Sequence, residues 1–324
     1  MREVAEAAGV STGTVSHALN GTGRVAAATR IRVTEAAAEL KYRPDARGRA
    51  LRSGRTDTLA LLLPPAAGSQ RAGEFVGANF YLELVGAAAQ AALARDRALM
   101  LLPAPHEPAD LDRFAFDGAL LSDPENEDQR LTMIEALGIP VVTLERDAAH
   151  PERSWWVASD HVPNTYELLD HLAGAGSRSI ALFTVAVAWS WFTEVETAYR
   201  DCAERAGLPA IIEAVPGGTS YSSLVAAAGR MLEAHRPDAV LAPPEQLACA
   251  VLEAARRAGL RVPQDLRVAA AVDGRDAQAD GITALDLLPR EHAQAGIELL
   301  LERLAGGPPA VRRVRAQLHV RATT

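Results

Sequence analysis

Thr12, Gly13, Thr14, Ser16 and His17 crowd one short stretch of the chain. Hydroxyls, an imidazole and a backbone left bare by glycine are small hydrogen-bonding groups that could enter a DNA major groove and meet base edges or phosphates. The residues around them are suited to presenting them. Val4, Ala8, Val10, Val15 and Leu19 supply an inward apolar face for two short helices, and Ala5 is small enough to let those helices approach. Gly9 permits the left-handed backbone that ends the first helix, and Ser11 can cap the second. A third helix is predicted over 27–40, with Ile31, Val33, Ala36, Ala37 and Leu40 on its apolar side. After Tyr42 and Pro44, residues 45–52 form a candidate short basic helix capped by Asp45 and carrying a single Leu51. Gly48 weakens that helix by about 1 kcal/mol relative to alanine, so it is expected to order on binding.

The charge distribution agrees. The chain carries a formal net charge of −8, but residues 1–55 hold ten Lys and Arg against five acids, leaving a body of −13 behind a head of +5. A basic head on an acidic body is expected where one segment alone meets phosphates. With 324 residues, 48% of them hydrophobic, the chain can build two or three cores. It has no apolar run of membrane-spanning length and does not start with a signal-like stretch, so a soluble cytoplasmic protein is expected. Cys202 and Cys249 are too few and too far apart to suggest a disulfide framework or a zinc site. No cofactor or metal is expected.

From Thr58 onward, short apolar runs at 59–63, 98–102, 118–121, 140–144, 179–183, 239–241 and 266–272 alternate with amphipathic stretches near 82–94, 165–173, 194–206, 224–234 and 247–258. Buried strands separated by helices indicate doubly wound parallel sheets, and this many units indicate two of them. The acidic stretch 123–128 lacks calcium-loop spacing and reads as a solvated turn.

The segments Val4-Ala5 through Asn20-Gly21, Thr29-Arg30-x-Arg32-Val33, Leu40-x-Tyr42-x-Pro44, Ala50-Leu51-Arg52-Ser53-Gly54-Arg55-Thr56 and Val320-Arg321-Ala322-Thr323-Thr324 occur in this order. In them the chain resembles the lactose-repressor (LacI/GalR) family of transcriptional regulators over essentially its whole length. The resemblance implies an all-α helix-turn-helix headpiece at 1–44, a hinge helix or linker at 45–56, and a core like the periplasmic sugar-binding proteins at 57–324. That core would comprise two doubly wound parallel-sheet subdomains, one of about 57–157 and 289–316, the other of about 158–288 and 317–324. It further implies a homodimer on a pseudo-palindromic double-stranded operator, acting as a repressor. Thr12, Gly13 and His17 then occupy base-reading positions, with Ser16 on the same helix face. Ser11, Thr14, Asn20, Arg24, Thr29 and Tyr42 would hold phosphates or position the helix, Arg47 and Arg49 would be available to phosphates, and Leu51 would be a minor-groove wedge.

Departures from the family pattern shape the expectations. His17 stands where arginine is frequent, and an imidazole makes one guanine contact at a time where arginine makes two. Ala26 replaces a capping serine, and the chain starts at Met1 without a threonine cap for the first helix, so either an earlier start or a fraying helix is expected. In the effector cleft, Asn79-Phe80-Tyr81-Leu82 replaces Asn-Pro-Phe-Phe, placing Tyr81 and Leu82 as lining residues. The position of the family's frequent pocket arginine falls near Thr193 and Val195, an Asn-Asp pair becomes Pro244-Glu245, and Asp160 and Asp273 keep carboxylates. Losing both the arginine and the Asn-Asp fork argues against an ordinary hexose. Trp189, Trp191 and Phe192 form either packing or an aromatic wall, Trp191 being the lining candidate. The effector is then a sugar or an aromatic metabolite, unless the cleft binds nothing.

Two other classes compete. An α/β enzyme would need motifs that are missing: Gly21-Thr22-Gly23-Arg24-Val25-Ala26 follows a helix, not a strand, and no nucleophile elbow, phosphate loop or His-Glu-x-x-His occurs. An intracellular solute-binding protein would not need the basic headpiece. The sequence therefore favours a regulator over an enzyme.

Overall fold

Gly9 adopts φ 64°, and its N–H and that of Val10 close the first helix onto the carbonyls of Glu6 and Ala5. In the computed structural model, which describes residues 1–21, 23–42, 54–64 and 78–324, this turn joins α1 (Arg2–Ala8) to α2 (Thr12–Asn20), and α3 (Ala27–Glu39) packs against both. The headpiece core is Val4, Ala5, Ala8, Val15, Ala18, Val33, Ala36 and Ala37, with Val10, Leu19, Val25 and Tyr42 against it. Two residues expected inside are not. Ile31 is 58% and Leu40 44% exposed, because the small side chains of Val33, Ala36 and Ala37 already fill the contact with α1 and α2. Residues 1–57 and 58–324 form separate compact units.

The second unit contains two six-stranded sheets. The first has the order β11-β5-β4-β3-β1-β2, with β1 Thr58–Leu62, β2 Ala98–Leu102, β3 Gly118–Ser122, β4 Val141–Leu144, β5 Trp156–Ser159 and β11 Val311–Val314, all parallel. The second runs β12-β10-β9-β8-β6-β7, from β6 Ile180–Ala186, β7 Ile211–Pro216, β8 Ala239–Leu241, β9 Arg267–Ala270, β10 Thr283–Asp286 and β12 Gln317–His319; only the β10–β12 pair is antiparallel. The chain passes between the sheets three times, after β5, after β10 and between β11 and β12. Each sheet therefore winds outward from an interior strand, β1 or β6, and leaves its switch point beside strand ends that face a cleft.

Helices cover the sheets through apolar faces. On one face of the first sheet, Tyr81, Leu84, Ala88 and Ala92 of α4 (Ala78–Leu93) meet Ala293, Ile297 and Leu300 of α12 (Pro289–Leu304) and the inward side chains of β1, β3 and β4. Gly296 permits the approach, since a Cβ there would lie 2.7 Å from Leu144. On the other face Leu111 of α5 (Pro108–Asp112) and Leu131 and Ile134 of α6 (Gln129–Ala136) cover Ala60, Leu62, Ala119 and Leu121. The second sheet is enclosed by α7 (His161–Gly174), α8 (Ser190–Arg205), α9 (Tyr221–His235) and α10 (Glu245–Arg257), with the short α11 (Arg275–Ala279) before β10. No described helix is long and apolar enough to cross a membrane.

Candidate functional site

In the headpiece, Ser11 takes the N-cap of α2. Its Oγ accepts from the Thr14 N–H at 3.1 Å and lies 2.9 Å from Thr14 Oγ1, so these two hydroxyls fix the start of the helix. Thr12, Gly13 and His17 are exposed, and Thr14 and Ser16 are less so or half-buried beside them. Gly23 is tucked against His17, where a Cβ would come within 2.9 Å of Nδ1. Arg24 is exposed and Thr29 lies half-buried in the first turn of α3. Tyr42 packs on the headpiece core, and its N–H donates to Ala37. Ala26 and Met1 occupy N-caps without a side-chain bond. Arg47, Arg49 and Leu51, together with the side chain of Asn20, lie outside the described residues.

In the second unit, Phe80, Tyr81, Asp123, Glu145, His161, Trp191, Pro244, Val272 and Leu287 surround a cavity of about 30 Å³. Both sheets contribute. Asp123 and Glu145 directly follow β3 and β4, Val272 and Pro244 follow β9 and β8, and His161 opens α7 at a chain crossing. Asn79 Nδ2 donates to Glu245 Oε1 at 2.8 Å, Arg146 pairs with Glu194 at 2.5 Å, and a backbone bridge joins Glu125 to Trp189. These three contacts tie the first-sheet side of the cleft to the second-sheet side.

The seven cleft residues expected from sequence separate. Tyr81 and Trp191 line the cavity. Leu82 points away and is 72% exposed, because the helical turn that brings Phe80 and Tyr81 inward carries the next side chain outward. Thr193 is exposed, with its hydroxyl turned back to the Trp189 carbonyl. Asp160 pairs with Arg313 at the crossing. Glu245 is buried, but besides Asn79 it accepts from the N–H groups of Asp276 and Ala277, capping α11. Asp273 is held by both terminal nitrogens of Arg321 and by His319. Trp189 and Phe192 are buried, Phe192 stacked on Trp191 at 3.8 Å.

Sequence reasoning missed the two cavity carboxylates. Asp123 and Asp128 are 4% and 6% exposed, so the solvated turn expected over 123–128 is confined to its middle, where Asn126 and Glu127 are exposed, and its ends are buried. Arg130 is the reason: its guanidinium binds Asp128 and the carbonyls of Leu63, Ser122 and Asp123, drawing the segment inward. The available signal was position, since Asp123 and Glu145 directly follow the parallel strands β3 and β4, where ligands of such sheets gather.

Glu145 carries the strongest electrostatics. His161 Nε2 donates to Oε2 at 2.9 Å, the Ser159 N–H reaches Oε1 at 3.3 Å, and His292 Nε2 stands 3.5 Å from Oε1 while its Nδ1 donates to Leu287. Burial opposes the Glu145 charge, but the imidazoles of His161 and then His292 hold its carboxyl well below the usual range. Burial likewise opposes charge on His161, but Glu145 holds it above 6.5. The Glu145 contribution is present above its unfolded value and lost as pH falls through the depressed folded one. The His161 contribution is complete below pH 6.5 and lost as pH rises through its raised folded value. Glu145→Gln should therefore cost about 1.5–3 kcal/mol, most between about pH 4.5 and 6.5 and less in alkali. Thermal unfolding across pH measures this; a wild-type-to-variant gap that stays constant from acid to alkali would remove the ionic role.

A helix-turn-helix unit preceding a two-sheet body with a small polar and aromatic cavity at the crossing defines a class of DNA-binding regulators. Residues 1–45 match the model of bacterial regulatory proteins of the lacI family, and residues 169–324 match that of the periplasmic binding protein-like domain. The transcriptional regulator CelR of Thermobifida fusca is 30% identical over 98% of this chain and 95% of its own. The repressor PurR of Yersinia pestis is 27% identical over 94% and 90%. Among solved structures, the complex of CelR with cellobiose aligns at a TM-score of 0.73 and 27% identity over 99% and 98% of the two chains. The lac repressor dimer bound to operator and the anti-inducer ONPF has the same fold, with a TM-score of 0.80 at 22% identity over 99% and 97%. The chain belongs to the LacI family of bacterial regulatory proteins and is a DNA-binding transcription regulator, not an enzyme.

Proposed function

We propose that this protein is a cytoplasmic repressor that binds a pseudo-palindromic operator as a homodimer and is released or retained by a small molecule in the cleft between its two sheets. The observation that carries this reading is α2 itself, capped by Ser11 on a basic segment and presenting Thr12, Gly13 and His17 to solvent. In this reading Thr12, Gly13 and His17 meet base edges, with Ser16 beside them. Ser11, Thr14, Asn20, Arg24, Thr29, Tyr42, Arg47 and Arg49 meet or organise around phosphates, and Leu51 enters the minor groove between two half-sites. The headpiece is assigned to 1–44, the hinge to 45–56 and the effector-binding core to 57–324. The lac repressor dimer on its operator and CelR with cellobiose support the arrangement by likeness. An effector acts only through its difference in affinity for the DNA-competent and incompetent states, and the cross-cleft contacts of Asn79 and Arg146 are the ones such a difference would alter.

Selection of genomic fragments by the purified protein tests this, the expected product being a short inverted repeat; failure to enrich any sequence would overturn it. Binding to the selected site should weaken by roughly a thousandfold or more between about 50 and 200 mM salt if six to ten phosphates are contacted. Fluorescence anisotropy across that range measures the slope, and a flat response would remove the phosphate role of the basic head.

A further inference from the structure

Most charged groups of the cleft have partners, and the buried Glu245 is met by Asn79 and by two N–H groups at the start of α11. Glu145 is met by His161, Arg146 by Glu194, and Arg130 by Asp128. Asp123 has no ion-pair partner among the described residues. Tyr81 and Ser122 hydroxyls both donate to its Oδ2, at 2.6 and 2.7 Å, while Oδ1 receives no donor, and the Arg130 guanidinium nearby binds the Asp123 carbonyl instead of its carboxylate. Around this carboxylate stand Phe80 and Tyr81, edge to face at 5.5 Å, and Trp191. Burial and then the Glu145 charge push the Asp123 carboxyl up to about 6, opposed by the Tyr81 and Ser122 hydroxyls and by the Arg130 charge.

A buried carboxylate lacking a cation inside aromatic walls complements positive charge from both directions: Coulomb attraction to the carboxylate and attraction to ring faces. We propose that the cleft binds an organic cation, a protonated amine or quaternary ammonium group held between Phe80, Tyr81 and Trp191 with Asp123 as its counter-ion. The proposal rests on the reading of the cleft as the effector site. A space of about 30 Å³ admits a group of one or two water volumes, so a protonated primary amine enters here, and a quaternary head or any larger remainder requires the cleft to widen.

Titration calorimetry of the full chain with choline, tetramethylammonium and putrescine tests it, with the uncharged choline isostere 3,3-dimethylbutan-1-ol and cellobiose as comparisons. At least one cation should bind about tenfold or more tighter than the isostere, and Asp123→Asn and Trp191→Leu should each abolish that preference. Equal binding of choline and its isostere, a preference that survives Asp123→Asn in a folded variant, or no binding of any of the three cations would overturn the proposal. Binding of cellobiose alone, with a change in operator affinity, would overturn the cation and leave the effector cleft standing. Failure of every compound to bind, with the selected operator still recognised, would count against both.

Discussion

Replacing Val15 with aspartate should reduce operator affinity by at least about a hundredfold, equivalent to roughly 2.7 kcal/mol, while the α/β body still unfolds cooperatively. Val15 is wholly buried in a core of eight residues, none larger than valine. A carboxylate placed there has no cation to meet and costs several kcal/mol, comparable to the whole stability of so small a unit. The recognition helix would lose the platform that orients Thr12, Gly13 and His17. Val15→Ala removes only methyl volume and should keep measurable binding at a smaller loss. Anisotropy on the selected operator, paired with circular dichroism of the whole chain, separates the two effects. Near wild-type affinity for Val15→Asp would mean that α2 does not need this core to read DNA.

Arg130→Met should destabilise the body by about 3–5 kcal/mol and lower its Tm by roughly 6–20 °C. Arg130 and Asp128 are 6% and 3% exposed in their side chains and pair at 2.6 Å. Although burial alone would raise it, Arg130 holds the Asp128 carboxyl below the usual range. The substitution leaves a buried charge unpaired and removes the donor from the carbonyls of Leu63, Ser122 and Asp123, which lie at the ends of β1 and β3. Adding Asp128→Leu to Arg130→Met removes the orphaned charge and should recover part of the loss. Recovery stays incomplete because Asp128 also accepts from the N–H groups of Glu125 and Arg130 at the start of α6. Calorimetry of the single and double variants checks this, and a single-variant loss below about 1 kcal/mol would show that water replaces the guanidinium.

The elements legible in sequence are those whose signals are local or doubly buried. Strands β1, β3 and β4 are buried along nearly their whole length, so each appears as an unbroken apolar run. Strand β11, Val-Arg-Arg-Val at a sheet edge, and the three-residue β12 carry no such run, and neither does the partly exposed edge strand β7. Strands β5 and β10 are four residues each, too short for a periodicity to stand out. The cleft was less legible still. Leu82 and Phe80 differ by two positions on one helix start, and only the rotation of α4 decides that Phe80 faces inward. Asp273 has the same type and strand-end position as a ligand carboxylate, yet Arg321, 48 residues away, occupies it.

By itself the sequence determined the DNA-reading end of this protein: Gly9, Ser11 and the alternation of Val4, Ala8 and Val15 act between residues at most a few positions apart, so their spacing already states the geometry. It also determined that the remainder is alternating α/β. Only the tertiary structure decided which acids share the cleft, because Asp123, Glu145 and His161 lie on separate strand ends and a helix start whose meeting depends on sheet order and on the chain's crossing between sheets. The burial of Asp123 without a cation, and of Glu145 with one, follows from that meeting and from nothing in the residues near either in sequence.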